Sequence, residues 1–306
     1  MFHMKKKVVV AVIGAMAGLG GTGAAHADAY AFASNQITNF TIASTAAFSF
    51  IGTATRDTIT TAQFTGFPID GHTNPVNLGT LSDALQSKSG PGPFPAENTF
   101  TQTAGIVGTR GDAITAAGSP FAGGVPLENN VAEGRALSGS GRSGASAGRN
   151  TADAAIRITS AGTFTFSFTD LIRLRADADL AGETANASIA TSFSIVNSAG
   201  AVVYSFAPDG VLDPGETADP FSLQRVCGSN SGVPVGGCII GPASGFFSGT
   251  SQTLGVGDYS ITLRTASQEN VLTQRNQVPE PTSLLLVGAG ILGLGIVRRR
   301  KSVWSL

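Results

Sequence analysis

Between residues 28 and 278 apolar and polar positions tend to alternate with a period of two. The stretch TFTFSFT (163–169) puts Phe164, Phe166 and Phe168 on one face, the signature of a half-buried strand. DLIRLRAD (170–177) continues the pattern, with Ile172 and Leu174 turned in and Arg173 and Arg175 turned out. SIATSFSIV (188–196) aligns Ile189, Phe193 and Ile195. AVVYSF (201–206) follows it after the turn-like NSAG, as in a hairpin. DYSITLRT (258–265) places Tyr259, Ile261 and Leu263 inside and Arg264 outside. TIASTAAFSFIGTAT (from Thr41) and TITTAQFTGF (from Thr58) are rich in Thr and Phe, which also suits strands. Helical periodicity is weak. TLSDALQSK (80–88) predicts one helix with Ser82 as its N-cap. Segment 87–150 is rich in Gly, Ser, Ala and Pro and reads as flexible, its second part (136–150) as a loop or linker. Short strands between Gly/Asn/Asp turns predict a mainly β protein, an antiparallel β-sandwich of jelly-roll or immunoglobulin-like type. Two small sheets split by segment 87–150 are the alternative.

The two ends break this pattern. Residues 1–7 are basic, residues 8–19 form an apolar run of about twelve, and AHA (25–27) precedes Asp28. This is a secretory signal peptide, with Ala25 and Ala27 as the small residues of the cleavage site. It is too short to span the roughly 30 Å hydrocarbon core as a helix. At the other end, residues 284–297 are 14 uninterrupted apolar residues, roughly 21 Å as a helix and again short of the core. Gly288, Gly290, Gly293 and Gly295 weaken it further. Arg298, Arg299, Arg300 and Lys301 follow. They stay on the cytoplasmic side and so orient the body outward. Pro279 and Pro281 keep the approach to this run extended, the state a protease needs. An uncleaved anchor is the competing reading.

Composition sharpens the division. Only 13% of residues are charged, and the formal charge is −1. Seven of the 19 basic residues lie in the two end segments, so the body from residue 28 to 278 carries 12 basic and 19 acidic residues, a net 12 − 19 = −7. An acidic body with Lys88 as its only lysine argues against nucleic-acid binding, which needs clustered positive charge.

With these residues in view, VPEPTSLLLVGAGILGLGIVRRRK (278–301) resembles a PEP-CTERM sorting signal. The matching parts are Pro279, Glu280 and Pro281, then a transmembrane helix over 284–297, then the basic cluster 298–301, together a sorting segment 279–306. The resemblance implies recognition by exosortase, a membrane-embedded transpeptidase-like protease of Gram-negative bacteria that make extracellular polysaccharide. It implies cleavage near Pro279–Pro281 and transient residence in the inner membrane. The five residues after Lys301 are a slightly long tail for this pattern. The body is similar to exosortase-dependent surface proteins, in AYAFASNQITNFTI (29–42), in the Ala/Gly-rich middle and in residues 164–210. That resemblance implies a secreted β-rich surface protein and carries no catalytic residues over.

Candidate chemistry in the body is sparse. Cys227 and Cys238 are the only cysteines. In an oxidising compartment an even count suits one disulfide closing a small Gly/Pro loop. His72 is the sole histidine of the mature chain, too few for a usual zinc site. A Ser-His-Asp site would have to use it, no G-x-S-x-G elbow is present, and a solvated turn histidine is the simpler account. The acidic groups Asp170, Asp177, Asp179, Glu183 and Asp209, Asp213, Glu216, Asp219 lie near Gly-containing turns. Asp177, Asp179, Asp209 and Asp213 are weak Ca²⁺ candidates without EF-hand spacing, and solvated turn or edge charge is the simpler account. No other cofactor is expected. A glycosidase needs two carboxylates across a cleft, and many pairs are available. Sugar sites favour exposed aromatics, whereas the 18 Phe mostly take inward positions and the mature body holds only Tyr30, Tyr204 and Tyr259 besides. The expectation is a non-enzymatic protein, exported by way of the inner membrane to the cell surface or extracellular matrix. Signal peptidase and exosortase mature it, and the polysaccharide layer or envelope is its partner. A lectin-like, Ca²⁺-dependent module is the alternative, and a secreted hydrolase a more distant one.

Overall fold

A computed structural model describes residues 28–71, 76–77, 83–115, 121, 128–137, 139–180, 182–230 and 237–274. The signal peptide, the helix over 284–297, Ser82 and His72 lie outside these residues. The described chain forms fifteen strands: β1 (Asp28–Ser44), β2 (Phe48–Phe64), β3 (Asp70–Gly71), β4 (Val76–Asn77), β5 (Asp83–Ser89), β6 (Gly108–Thr115), β7 (Glu128–Leu137), β8 (Ser143–Ile158), β9 (Phe164–Ala178), β10 (Thr184–Asn197), β11 (Val202–Phe206), β12 (Glu216–Ala218), β13 (Gln224–Asn230), β14 (Cys238–Thr250) and β15 (Gly257–Leu272). They make two antiparallel sheets. The first runs β12-β14-β9-β1-β7-β6-β5-β3. The second runs β11-β10-β15-β8-β2-β4, with β13 also paired to β10. The sheets face each other as a sandwich. The chain crosses between them from β1 to β2, from β7 through β8 and β9 to β10, and from β14 to β15, while β5, β6 and β7 adjoin in the first sheet.

The alternating segments are strands as expected. β9 joins two of them into one unbroken run whose even-numbered residues from Phe164 to Ala178 are all buried. At one end of the sandwich the core is aromatic. Phe166 stacks on Phe193 with ring centroids 4.4 Å apart, Phe168 stacks on Phe247 at 5.3 Å, and Phe206 meets Phe166 edge-on at 4.8 Å. Such pairs add to the hydrophobic gain of burying the rings. A positive φ at Asn39 accompanies the register shift in β1 between Thr38 and Thr41, beside Phe40, which packs against Phe168 and Phe193.

Towards β5, β6 and β7 the interior is polar. Asn130 Nδ2 donates to Thr265 Oγ1 across the sheets (2.7 Å), Asn35 Nδ2 donates to Thr191 Oγ1 (2.7 Å), and the Thr60 and Ser87 hydroxyls meet at 2.7 Å. These hydrogen bonds offset the cost of burying the groups that make them, although Asn35 Oδ1 has no partner among the described residues.

Two expectations are overturned. The described part of the expected helix, residues 83–88, is not helical: Asp83–Ser89 is a strand whose Leu85, Ser87 and Ser89 turn inward while it pairs with β6. The short segment satisfies both periodicities, and an available sheet edge decides between them. Segment 87–150 is not a flexible linker: it supplies β6, β7 and half of β8, so it does not split the molecule into two small sheets. Its small residues have a packing role. A Cβ on Gly111 would lie 2.1 Å from the Ala147 carbonyl oxygen, and one on Gly148 would lie 2.5 Å from that of Asp112. The facing backbones therefore approach closely enough to require glycine.

Candidate functional site

Asp28, the first described residue, lies in β1, and its carboxylate is ion-paired with Arg135 of β7. At the other end β15 stops at Leu272, and the Thr273 amide donates to the Arg142 carbonyl (2.9 Å). The sorting residues Pro279, Glu280, Pro281, Arg298, Arg299, Arg300 and Lys301, and the cleavage residues Ala25 and Ala27, lie outside the described residues.

Cys227 and Cys238 form a disulfide with Cα atoms 5.3 Å apart. Cys227 is on β13, paired to β10 of the second sheet, and Cys238 is on β14, paired to β9 of the first. The bond thus ties the two sheets together at one edge as well as closing the expected loop. Such a link contributes about 2–3 kcal/mol by restricting the unfolded chain.

The acidic candidates disperse. Asp177 is ion-paired with Arg175, and Asp179 is exposed. Asp209 caps its own turn by accepting the Val211 amide (2.8 Å), and the Asp213 amide donates to Glu216 (2.9 Å). Among the described residues no three His, Cys, Asp or Glu side chains converge as metal ligands. Three members of these groups correct the expectation of solvated turns: Asp170, Glu183 and Asp219 are buried. Asp170 occupies an inward position of β9 between Phe168 and Ile172, so strand parity outweighs its charge.

Buried ionisable groups form two sets. Under segment 90–107, on the outer face of the first sheet, Arg110 is fully buried. Its Nε donates to Glu133 Oε2 (2.9 Å), and its two Nη atoms donate to the carbonyls of Thr99 (2.7 Å) and Thr101 (2.8 Å). Glu133 Oε1 also accepts the Tyr30 hydroxyl (2.7 Å) and the Thr103 amide (2.8 Å). Asp112 lies 3.6 Å from Arg110, and burial pushes its carboxyl up to about 6 although Arg110 opposes this. The second set sits between the sheets. Burial pushes Glu128 and Glu269 up to about 8 and Asp170 up to about 7, against hydrogen bonds from Thr265, Ser146 and Thr191. The sign follows directly. These groups stay protonated in the fold while the unfolded chain releases protons above about pH 4, so stability falls as pH rises from there towards about 8. The melting temperature is expected to drop by about 5 °C or more between pH 5 and pH 8.5, and Glu128→Gln should flatten part of the slope. Calorimetry showing a flat or rising profile would contradict the buried carboxyls.

The outer face of the second sheet carries the remaining feature. Its residues alternate with the buried ones, so pairing register determines who meets whom. One row across the sheet reads Thr61, Ala147, Gln268, Ser188 and Val226, and the next reads Gln63, Ala145, Asn270, Asn186 and Gly228. Ala145 and Ala147 on β8 leave a low floor, and the longer Gln63, Gln268 and Asn270 stand on either side. The result is a trough of about 720 Å³, continued by a second of about 350 Å³ that reaches Ser143 and Leu272. Asn186 Nδ2 donates to Asn270 Oδ1 (2.9 Å). Gln63 and Gln268 make no side-chain hydrogen bond among the described residues. These amides were not singled out in the sequence. The cue was present, as amides at outward strand positions, but which strands adjoin could not be read.

Comparison with known proteins agrees with the reading of the C-terminal segment. Residues 277–301 match the PEP-CTERM protein-sorting motif. Searches of curated proteins and of solved structures find no significant match. This chain carries a PEP-CTERM protein-sorting motif, and the motif indicates exosortase-dependent sorting to the cell surface.

Proposed function

We propose that this is a non-enzymatic surface or matrix protein of a Gram-negative bacterium, built to be exported, trimmed at both ends and displayed as a folded sandwich. Signal peptidase cuts after Ala27. The tail then enters the inner membrane, with Arg298–Lys301 on the cytoplasmic side. Exosortase acts near Pro279–Pro281 and hands the body on to the cell surface or extracellular matrix, where its role is structural or adhesive. The proposal assigns no cofactor and no catalytic residue.

The observation that carries it is the PEP-CTERM sorting motif over residues 277–301. The last strand ends at Leu272, so a cut near Pro279–Pro281 leaves the described sandwich whole. The inter-sheet disulfide suits an oxidising destination. Of the two sandwich types, passage of consecutive strands between the sheets favours the jelly-roll. The test is the mass of the mature chain recovered from the cell surface.

A further inference from the structure

The trough on the second sheet is nearly uncharged; its lining is more apolar than polar, and its polar groups are ones that both donate and accept. Its walls are the amides of Gln63, Gln268, Asn186 and Asn270, its floor is Ala145 and Ala147, and all six side chains point away from the core. A side-chain amide offers two donors and an acceptor in one plane, which matches vicinal hydroxyls better than it matches an ion or an apolar surface. Along β8 the trough extends from Arg149 to Ser143, roughly 20 Å at strand spacing. That length suits several units of a chain rather than a single small molecule. Ile69 at 50% exposure and Val226 at 71% stand at its margins, where they can cover the apolar faces of such units.

Charge narrows the ligand further. The body carries a net −7, and an acidic surface repels a polyanion at long range. One cation, Arg149, does not reverse that field. Among the described residues no exposed carboxylate lines the trough; Glu269 lies buried beneath it.

We propose that this trough binds a neutral polysaccharide chain through its hydroxyls. The proposal rests on the surface-display reading, because the polymer is met outside the cell. Among the described residues no aromatic ring lines the site, so each site is weak and adhesion comes from many copies on one polymer.

The test uses the full chain purified in detergent, so that binding does not depend on processing. Migration in native gels is compared without polymer and with dextran, hydroxyethyl cellulose, galactomannan or, as a polyanion, alginate. At least one neutral polymer is expected to retard the chain. Ala147→Trp, which fills the floor, and Asn186→Ala with Asn270→Ala, which strips one wall, should each weaken retardation by about tenfold, the loss of one or two hydrogen bonds. The wall variant alters only outward side chains and should melt within ~2 °C of wild type, so it decides the matter even if the tryptophan variant folds poorly. Retardation by none of the neutral polymers, by alginate alone, or equally in the wall variant would overturn the proposal. So would a dimer in sedimentation that Ala147→Trp dissociates, since the trough would then serve a second copy of the chain. None of these outcomes bears on the sorting reading, which depends on residues 277–301.

Discussion

Replacing Pro279 and Glu280 together by alanine is expected to leave the chain full-length and held in the inner membrane, with the mature surface form reduced to background. The argument is physical as well as by family. The two prolines prevent the segment after β15 from joining a helix or sheet, so the backbone stays extended where a protease can take it. Behind them stand 14 apolar residues, roughly 21 Å of helix, enough to hold the chain in a thinned bilayer but short for a lasting anchor. Alanine at both positions removes the recognised Pro-Glu-Pro sequence, while the retained Pro281 still keeps a helix from running back towards the sandwich. Immunoblots of membrane and surface fractions read the result. Wild-type maturation of this variant would contradict exosortase processing at the motif.

Arg110→Met is expected to be the most damaging single change in the body, costing about 3–5 kcal/mol. The guanidinium is fully buried and is the only cation within salt-bridge distance of Glu133 and Asp112 among the described residues. Its removal leaves two buried carboxylates without compensation, the costly half of a broken ion pair. It also releases the carbonyls of Thr99 and Thr101, which Arg110 holds through both Nη atoms. Segment 90–107 should therefore become sensitive to protease well below the melting temperature. Adding Glu133→Gln and Asp112→Asn should recover part of the loss, because the penalty lies mainly in the stranded charges. Denaturant unfolding and limited proteolysis check both points. An unchanged midpoint with an intact segment would show that Arg110 does not hold it.

Alternation carried much of the fold. Phe164, Phe166, Phe168, Ile172 and Leu174 declared the inward face of β9 without any structure. The same parity also named Asp170 as inward; its charge argued for solvent, and that argument lost. Composition misled where it was read without pairing. Gly111 and Gly148 resemble linker residues until the opposite backbone is in place. Residues 83–89 could be read as helix until β6 supplied an edge. The disulfide was legible from an even cysteine count, but its position between the two sheets depended on which neighbours β13 and β14 chose. The trough was hidden for the same reason, since Gln63, Asn186 and Asn270 are far apart in the chain and meet only through the register of β2, β8, β15 and β10. The sorting motif needed no fold, because its three parts are contiguous and ordered along the chain.

The most direct test of the account is the intact mass of the chain recovered from the cell surface, measured with and without reduction. The account predicts a polypeptide that begins at Asp28, ends before residue 284 and gains two hydrogens on reduction of the Cys227–Cys238 bond. A surface form that still contains residues 284–301 would contradict it.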